Sequence, residues 1–288
     1  MLNGILSIIT DPDNLHGKIL RKHFVFKIIP LLNPDGVYRG CFRHDTRGNN
    51  LNRFYDEPRH DHHPTIFAAK KVILQQKEIG KLAIYIDLHA HASRRGCFMF
   101  GNALPLDNQK LQNMLLPKVI SLNSIDFDYN QCSFSQSNMK VKDKHSGLSR
   151  EGSGRVAIWK ETSIANSYTL ECHYSIGVNK NELTQFMNSK TGRLSEPEEE
   201  DKELLLAGTG KEHPYTQESF ENVGKAVCYG ILDFYSINPV SRIPTTEYKT
   251  IDNLKEELKK QIEEQKTKKA SDINNTYNRL YNGGCRTK

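Results

Sequence analysis

The stretch from Ala83 to Asn102, AIYIDLHAHASRRGCFMFGN, limits the possible folds more than any other part of the chain. It opens with apolar and β-branched residues, which is typical of a buried strand. Asp87, His89 and His91 follow at alternate positions, so their side chains share one face of that strand. Imidazole is a common zinc ligand, and a nearby carboxylate can orient it. The pattern indicates either a metal site at the end of a strand or histidines that are hydrogen-bonded at a sheet edge.

The segments before this stretch follow the order strand, loop, helix, strand. Residues 24–32 are rich in β-branched and aromatic residues and end in the turn sequence NPDG, which predicts a core strand. Residues 65–77 carry apolar side chains at helical spacing and lead directly into the strand at Ala83. This order predicts an α/β fold with a mixed, largely parallel central sheet flanked by helices. Functional residues are then expected at the carboxyl ends of the strands.

Glu171 is a second candidate for chemistry further along the chain. Residues 108–122 and 218–235 read as amphipathic helices, whereas residues 155–160 and 167–174 read as strands. Glu171 lies inside the second of these strands, where an ionised carboxylate is unfavourable unless a cation or a metal is close. The sequence therefore predicts either a general base or an ion pair with an arginine at this position.

The loop that follows the NPDG turn is rich in side chains that donate hydrogen bonds. Arginine and asparagine donors of this kind are well suited to binding a carboxylate, although arginines in loops are often simply solvated. The members of this group are Arg39, Arg43, Arg47, Asn49, Asn50, Asn52 and Arg53. A site for an anion is one prediction for the loop, and a solvated surface is the other.

Composition and charge narrow the class of protein. The formal charge of +6 favours an acidic partner, but the basic residues are dispersed and no stacking aromatic motif accompanies them, so we expect no nucleic-acid partner. The six cysteines form no Cys-x-x-Cys pair, which indicates reduced thiols in a cytoplasmic protein. We find no leader peptide and no apolar segment long enough to span a bilayer, and we therefore expect no membrane partner.

Taken in order, these motifs resemble those of the zinc metallocarboxypeptidase family. NPDG followed by LNR, a strand ending in DLHAHAS, and SYTLE form the ordered signature, while EGSGRVAIWK and SYTLECHY are similar to the cytosolic carboxypeptidase branch. The resemblance covers residues 2–238, and the combination of motifs is highly specific. It implies a cytoplasmic hydrolase that removes glutamate from acidic protein tails. The implied substrate is polyglutamylated tubulin, including its branch-point glutamates, and the implied location includes microtubules.

The resemblance also implies which residues carry out catalysis. His89 would be a ligand of one zinc ion, at the end of the central strand. Glu171 would be the general base that activates water bound to that zinc ion. Arg43 would polarise the scissile carbonyl group and stabilise the oxyanion. These roles agree with the general chemistry of zinc hydrolases, in which the metal lowers the pKa of water and a carboxylate takes the proton.

Three further residues would bind the substrate according to the same resemblance. Asn52 and Arg53 would hold the terminal carboxylate, and Arg155 would line the specificity pocket and select a glutamate side chain. Guanidinium groups can meet both carboxylates of a C-terminal glutamate in bidentate fashion. Substitution of Arg155 by alanine is thus predicted to affect glutamate selectivity far more than folding.

One departure from the family pattern is clear. The family takes its first two zinc ligands from a His-x-x-Glu motif, and none occurs in these 288 residues. Because catalytic zinc normally has three protein ligands, we expect either an N-terminally shortened form of an active enzyme or a non-catalytic module that binds glutamate-rich tails. We predict a catalytic domain without its N-terminal part at residues 1–240, and a charged, helical tail at residues 241–288.

Overall fold

The computed structural model describes residues 1–41, 43–143, 147–197, 199–206 and 208–282. Within these residues, four α-helices precede the first strand, and the two longest helices lie in the last third of the chain. In chain order the elements are α1 (Leu2–Thr10), α2 (Leu15–His23), α3 (Pro34–Tyr38), α4 (Pro64–Glu78), β1 (Tyr85–His91), β2 (Cys97–Phe100), α5 (Asp107–Ser121), α6 (Gln136–Lys140), α7 (Gly154–Thr162), β3 (Ser167–His173), β4 (Ile176–Val178), β5 (Met187–Asn188), α8 (Glu199–Leu206), β6 (Glu212–Pro214), α9 (Gln217–Phe234), β7 (Val240–Ser241) and α10 (Ile251–Asn282).

The central sheet has three strands in the order β1-β3-β2. Strand β3 runs parallel to β1 and antiparallel to β2, so the sheet is mixed, as predicted, but it is not largely parallel within the described residues. The strands predicted around Ala83 and at residues 167–174 are confirmed as β1 and β3, and the three long amphipathic helices are confirmed as α4, α5 and α9. Two further antiparallel pairs, β4 with β6 and β5 with β7, lie outside this sheet.

The two faces of the central sheet have different roles, because successive side chains of a strand point to opposite faces. Tyr168, Leu170 and Cys172 of β3 belong to the main hydrophobic core, which packs against α1, α5 and α9. Thr169 and Glu171 alternate with them and therefore point to the other face. The sheet thus separates an apolar core from a face that carries polar side chains.

A smaller apolar cluster supports this polar face. Tyr55, Ile66 of α4 and Ala157 of α7 pack together, and each is almost completely buried. Their contacts hold the 3₁₀ turn Leu51–Arg53 beside the beginning of α7. As a result, two of the sequence segments with predicted site residues lie next to each other.

Two sequence predictions about secondary structure are wrong. Residues 24–32 form no strand, and Val25 is 81% exposed, because no described segment pairs with this stretch and β propensity alone does not make a strand. Residues 155–160 belong to helix α7 instead of a strand. This helix is buried around most of its circumference, so its short apolar run lacks the periodicity that distinguishes a helix from a strand.

The charged tail packs against the domain over part of its length. Leu254, Leu258 and Ile262 of α10 are buried in the main core, next to α5. Their spacing of four residues places them on one side of the helix, which faces the core. The boundary at residue 240 stays a prediction. None of the helices in the described part of the chain has the length and apolar character needed to cross a membrane.

Candidate active site

His89 and Glu171 meet at the carboxyl ends of two parallel strands. They are directly paired in the register of β1 and β3, and therefore lie on the same face of the sheet. The distance between His89 Nδ1 and Glu171 Oε1 is 3.9 Å. The sequence pattern predicted functional residues at this edge, and the structure brings these two together there.

The orientation of the His89 ring follows from its hydrogen bond with Asp87. His89 Nε2 lies 2.9 Å from Asp87 Oδ2, and a carboxylate accepts, so Nε2 carries a hydrogen and Nδ1 faces Glu171. Burial by itself lowers the pKa of His89, but the charges of Asp87 and Glu171 and the hydrogen bond that His89 donates to Asp87 outweigh it and raise the pKa to about 9. The two carboxylates thus favour the protonated form of the imidazole.

Glu171 is a carboxylate with an unusual environment, because only 9% of it is exposed. Burial raises the pKa of Glu171, while the charges of His89, Arg150 and Arg43 act in the opposite direction. Asp87 adds to the rise because two nearby carboxylates disfavour simultaneous ionisation. A carboxylate with a raised pKa accepts protons more readily at neutral pH, which suits a general base.

Asn52 connects the loop to both the sheet and helix α7. Its side-chain oxygen accepts a hydrogen bond of 2.9 Å from the backbone N–H of Gly154, which fixes the orientation of the amide. Its Nδ2 lies 3.4 Å from His89 Nε2, but Nε2 already donates to Asp87 and cannot accept at the same time. Hence the amide N–H groups of Asn52 are available to a ligand.

Arg53 is a buried guanidinium whose donors are incompletely used. It is 8% exposed, its Nη1 donates to the carbonyl oxygen of Asn52 at 2.6 Å, and its Nη2 lies 4.0 Å from Asp143 Oδ2. No acceptor among the described residues meets its Nε. An unpaired buried donor is unfavourable, so the position next to Asn52 fits an anionic ligand. Burial lowers the pKa of Arg53, and Arg43 and Arg150 add to the effect.

Arg43 and Arg155 occupy opposite environments. Arg43 is exposed, its charge acts on His89, Glu171 and Arg53, and no hydrogen bond joins it to the described residues. Arg155 is 2% exposed, and burial lowers its pKa to about 9. The structure therefore places Arg43 at the open side of the site and Arg155 in the protein interior.

The guanidinium of Arg155 is surrounded by acceptors from the protein itself. Nη1 donates to the carbonyl oxygen of Gly101 at 2.5 Å and to Asn102 Oδ1 at 3.1 Å, and Nη2 donates to Asn138 Oδ1 at 2.5 Å. The guanidinium carbon lies 5.7 Å from the centre of the Phe100 ring. Arg155 thus joins α7 to the end of β2 and to α6.

The sequence analysis did not single out two further arginines that lie at the site. Arg150 and Arg94 place their guanidinium carbons 5.6 and 5.8 Å from the centre of the same Phe100 ring. Arg94 lies in the turn after β1, and Arg150 lies in the charged, glycine-rich loop before α7. The density of arginines in these two loops was the signal that could have found them.

The described residues do not complete a zinc site. No group of three or more His, Cys, Asp or Glu side chains in the described part of the chain could hold a metal ion. His89 offers one imidazole nitrogen, Nδ1, on the side of Glu171, whereas a catalytic zinc site normally needs three protein ligands. His91 uses its Nδ1 to accept the backbone N–H groups of Ser93 and Arg94 and so belongs to the turn.

The chain is similar to known carboxypeptidases over most of its length. No family model matches it. The chain is 34% identical over 347 aligned residues to cytosolic carboxypeptidase-like protein 5 of Bos taurus, which covers 91% of this chain and 38% of that relative. It is 32% identical to cytosolic carboxypeptidase 6 of Homo sapiens over 77% of this chain and 37% of that relative. The chain therefore spans well under half the length of these relatives.

A search of solved structures agrees on the fold. The metallo-carboxypeptidase from Burkholderia cenocepacia superposes with a TM-score of 0.59, over 82% of this chain and 52% of that chain. The sequence identity of this pair is 17%, so the likeness concerns the fold alone.

Proposed function

Because the chain belongs to the cytosolic carboxypeptidase branch of the zinc metallocarboxypeptidases, we propose that it serves to remove glutamate from the C-terminal ends of acidic protein tails. The observation that carries this proposal is the proximity of His89 and Glu171, with 3.9 Å between Nδ1 and Oε1. The guanidinium groups of Arg150 and Arg43 act electrostatically on Glu171. A carboxylate base and cationic binding groups are the two components that hydrolysis at an acidic C-terminus requires.

We assign the terminal carboxylate of the substrate to Asn52 and Arg53. The available amide N–H of Asn52 and the unpaired Nε of Arg53 lie on consecutive residues of one turn. A carboxylate bound there would satisfy the buried donor of Arg53, which no described residue does. Placing the terminal carboxylate at Asn52 also brings the last peptide bond close to His89, since Asn52 and His89 are in contact.

Glu171 is assigned the role of general base, and Arg43 that of the cation beside the scissile carbonyl. The raised pKa of Glu171 favours acceptance of a proton from water, and its later return to the leaving amine. Arg43 is exposed and acts electrostatically on Glu171 and His89, so it can reach a carbonyl oxygen held between them and solvent. Arg155 would support the pocket for the glutamate side chain.

The family implies one zinc ion, which would supply Lewis-acid activation of water and of the carbonyl group when bound. We assign His89 as one ligand of this ion, and no group of three candidate ligands exists in the described part of the chain. Two further protein ligands would be needed for a tetrahedral catalytic site.

Polyglutamylated tubulin is the proposed substrate, in the cytoplasm and on microtubules. The formal charge of +6 and the arginines around Glu171 favour a strongly acidic partner. A chain of glutamates, whether linear or attached at a branch point, presents many carboxylates to these cations. The charge of the site thus supports acidic tails as a class, and tubulin is the proposed member of that class.

The test uses the natural protein, purified as it is expressed from its gene, with zinc supplied. Incubation with a peptide that ends in several glutamates should release free glutamate, and the Glu171→Gln variant should release none above background. The exposed Glu218 provides a matched control, since Glu218→Gln should leave release unchanged. Absence of release by a wild-type protein that contains one zinc ion per chain would overturn the proposal.

A second candidate function is a non-catalytic module that binds glutamate-rich tails. It is favoured by one observation, namely that no three-ligand metal group exists in the described part of the chain although the anion-binding donors are in place. Elemental analysis separates the two functions. A protein that binds acidic peptides but contains no zinc, even after exposure to the metal, would be this module.

A further inference from the structure

A carboxylate of the protein itself lies beside the edge of the Arg53 guanidinium group that a ligand would use. Nη1 of Arg53 donates to the carbonyl oxygen of Asn52 at 2.6 Å. Nε and Nη2 form one edge of the planar group, and Nε finds no acceptor among the described residues. Asp143 Oδ2 lies 4.0 Å from Nη2. This distance is longer than a hydrogen bond, so Asp143 attracts the cation without satisfying its donors.

The backbone around Asp143 holds this carboxylate at the site. The backbone N–H of Asp143 donates to the carbonyl oxygen of Leu148 at 2.8 Å, and its carbonyl oxygen accepts from the N–H of Gly147 at 2.9 Å. An antiparallel bridge between Lys142 and Ser149 lies directly beside these bonds. The side chain of Asp143 is 19% exposed, so solvent and salt screen its charge only in part.

The charge of Asp143 acts on two arginines of the site. It raises the pKa of Arg53 and of Arg150, whereas Arg43 lowers the pKa of both. Asp143 therefore reduces the positive potential that these arginines create for an anion.

A ligand carboxylate and Asp143 would compete for the same edge of Arg53. A carboxylate that accepts from the unpaired Nε has to lie along the edge that Nε shares with Nη2, where Asp143 is already close. The ligand would gain charge-assisted hydrogen bonds from the guanidinium group, but it would also be repelled by a second negative charge a short distance away. Binding at this edge is thus weaker than the arginine alone would allow.

We propose that Asp143 is an internal competitor for Arg53, which limits the affinity of the site for terminal carboxylates. This inference rests on the proposed function, because it takes Asn52 and Arg53 as the site of the terminal carboxylate. Free glutamate carries the same α-carboxylate as the substrate, so the repulsion acts on the product of the proposed reaction as well and favours its release.

A purely structural role of Asp143 makes the opposite prediction. If Asp143 served to hold the guanidinium group of Arg53 in place, its removal would disorder Arg53 and weaken the binding of a carboxylate. The direction of the change in affinity therefore separates the two roles.

The experiment measures the binding of two fluorescein-labelled glutamate pentapeptides, one with a free C-terminal carboxylate and the other amidated. Every protein also carries Glu171→Gln, so that the peptides stay intact while their anisotropy is followed. Asp143→Asn should bind the free peptide about three- to tenfold more tightly than the parent, because a partly screened repulsion between two carboxylates corresponds to about that factor. Its affinity for the amidated peptide should change by less than about twofold, since that peptide lacks the terminal charge.

Two further variants complete the design. Glu151 lies in the same loop and pairs with Lys160 at 3.0 Å, so Glu151→Gln removes an equal charge away from Arg53 and should leave the ratio of the two affinities unchanged. Asp143→Ser removes the charge of Asp143 with a different side chain and should show the same gain. Circular dichroism identifies the folded variants, and the serine variant decides the question if the asparagine variant does not fold.

The outcomes distinguish this inference from the proposed function. An unchanged or weaker affinity of the folded Asp143 variants for the free peptide overturns the inference and leaves the hydrolytic proposal intact. A gain in affinity supports the inference even where the natural protein releases no glutamate, a result that counts only against hydrolysis. If neither the parent nor the variants distinguish the free from the amidated peptide, both the inference and the assignment of Asn52 and Arg53 are overturned.

Discussion

His89 and Glu171 occupy directly paired positions of the parallel strands β1 and β3, with 3.9 Å between Nδ1 and Oε1. Had the register differed by one residue, the two side chains would point to opposite faces of the sheet, and one of them would enter the apolar core. Their shared face is the condition on which a joint chemical role depends. Alternation within β1 places Asp87 on the same face, where it accepts a hydrogen bond from the His89 ring.

We expect Glu171→Gln to reduce glutamate release at least about 100-fold, because the amide cannot accept the proton that a general base must take. The substitution changes little in size, and the free energy of unfolding should therefore remain close to that of the wild type. Release of glutamate from an acidic peptide is measured by amino-acid analysis, and unfolding by urea titration. Retention of more than a tenth of the activity would contradict the assignment of Glu171 as base.

Asn52→Ala and Arg53→Ala should each weaken binding of a peptide with a free C-terminus by about 10- to 100-fold, since each removes donors to a charged carboxylate. The same peptide with an amidated C-terminus is the control, because it lacks the carboxylate and should lose little affinity. Both are measured by anisotropy titration. Equal losses for the free and the amidated peptide would show that these residues act on folding or on another part of the ligand.

Arg155→Ala should lower the free energy of unfolding by about 2–4 kcal/mol, because it leaves buried acceptors on Gly101, Asn102 and Asn138 without a donor. The sequence alone predicts that this substitution affects selectivity far more than folding, whereas the burial of Arg155 favours a large effect on folding. Arg95→Ala, at an exposed position, should change stability by less than about 0.5 kcal/mol. Urea unfolding of both variants decides between the two expectations.

Leu258→Ala should destabilise the protein by about 2–4 kcal/mol, since Leu258 of α10 is fully buried in the main core. The neighbouring Lys259→Ala is the control and should have little effect, because Lys259 is exposed. If both substitutions were neutral, the charged tail would not contribute to the stability of the domain, and a boundary at residue 240 would be favoured.

Because of Asp233, the free energy of unfolding should decrease as the pH rises from 4 to 7. Burial raises the pKa of Asp233 to about 6, although Ser241, Asn123 and Asn238 stabilise the charged form by hydrogen bonds. The folded state therefore keeps a proton that the unfolded state loses between pH 4 and 6, so this residue reduces stability as the pH rises through that window.

The measurement compares wild type with Asp233→Asn, which has no such titration. The stability of the wild type relative to this variant should fall by about 2–3 kcal/mol between pH 4 and pH 7. Asp252→Asn, which replaces an exposed carboxylate, is measured in parallel as the control for the substitution itself. A difference between wild type and Asp233→Asn that is independent of pH would contradict the shift.

The sequence predicted the elements with strong periodicity or long apolar runs, and the comparisons confirm the family that its motifs indicated. Helices α4, α5 and α9 are marked by regular apolar spacing, and β1 and β3 by apolar runs that end in chemically distinctive residues. Helix α7 was missed because a short helix that is buried on most sides has the same local pattern as a strand.

By itself, the sequence determined which residue types are available to the site and that His89 must share a face with Asp87, because alternation along a strand is a local rule. His89 and Glu171 lie 82 positions apart in the sequence. Only the register of β1 with β3 makes them neighbours. Likewise, Arg150 and Arg155 are five residues apart with identical chemistry, and only the tertiary structure gives Arg155 three internal acceptors and Arg150 none among the described residues. Burial and hydrogen-bond partners depend on which segments pack together, and this information is not contained in the local pattern of either arginine.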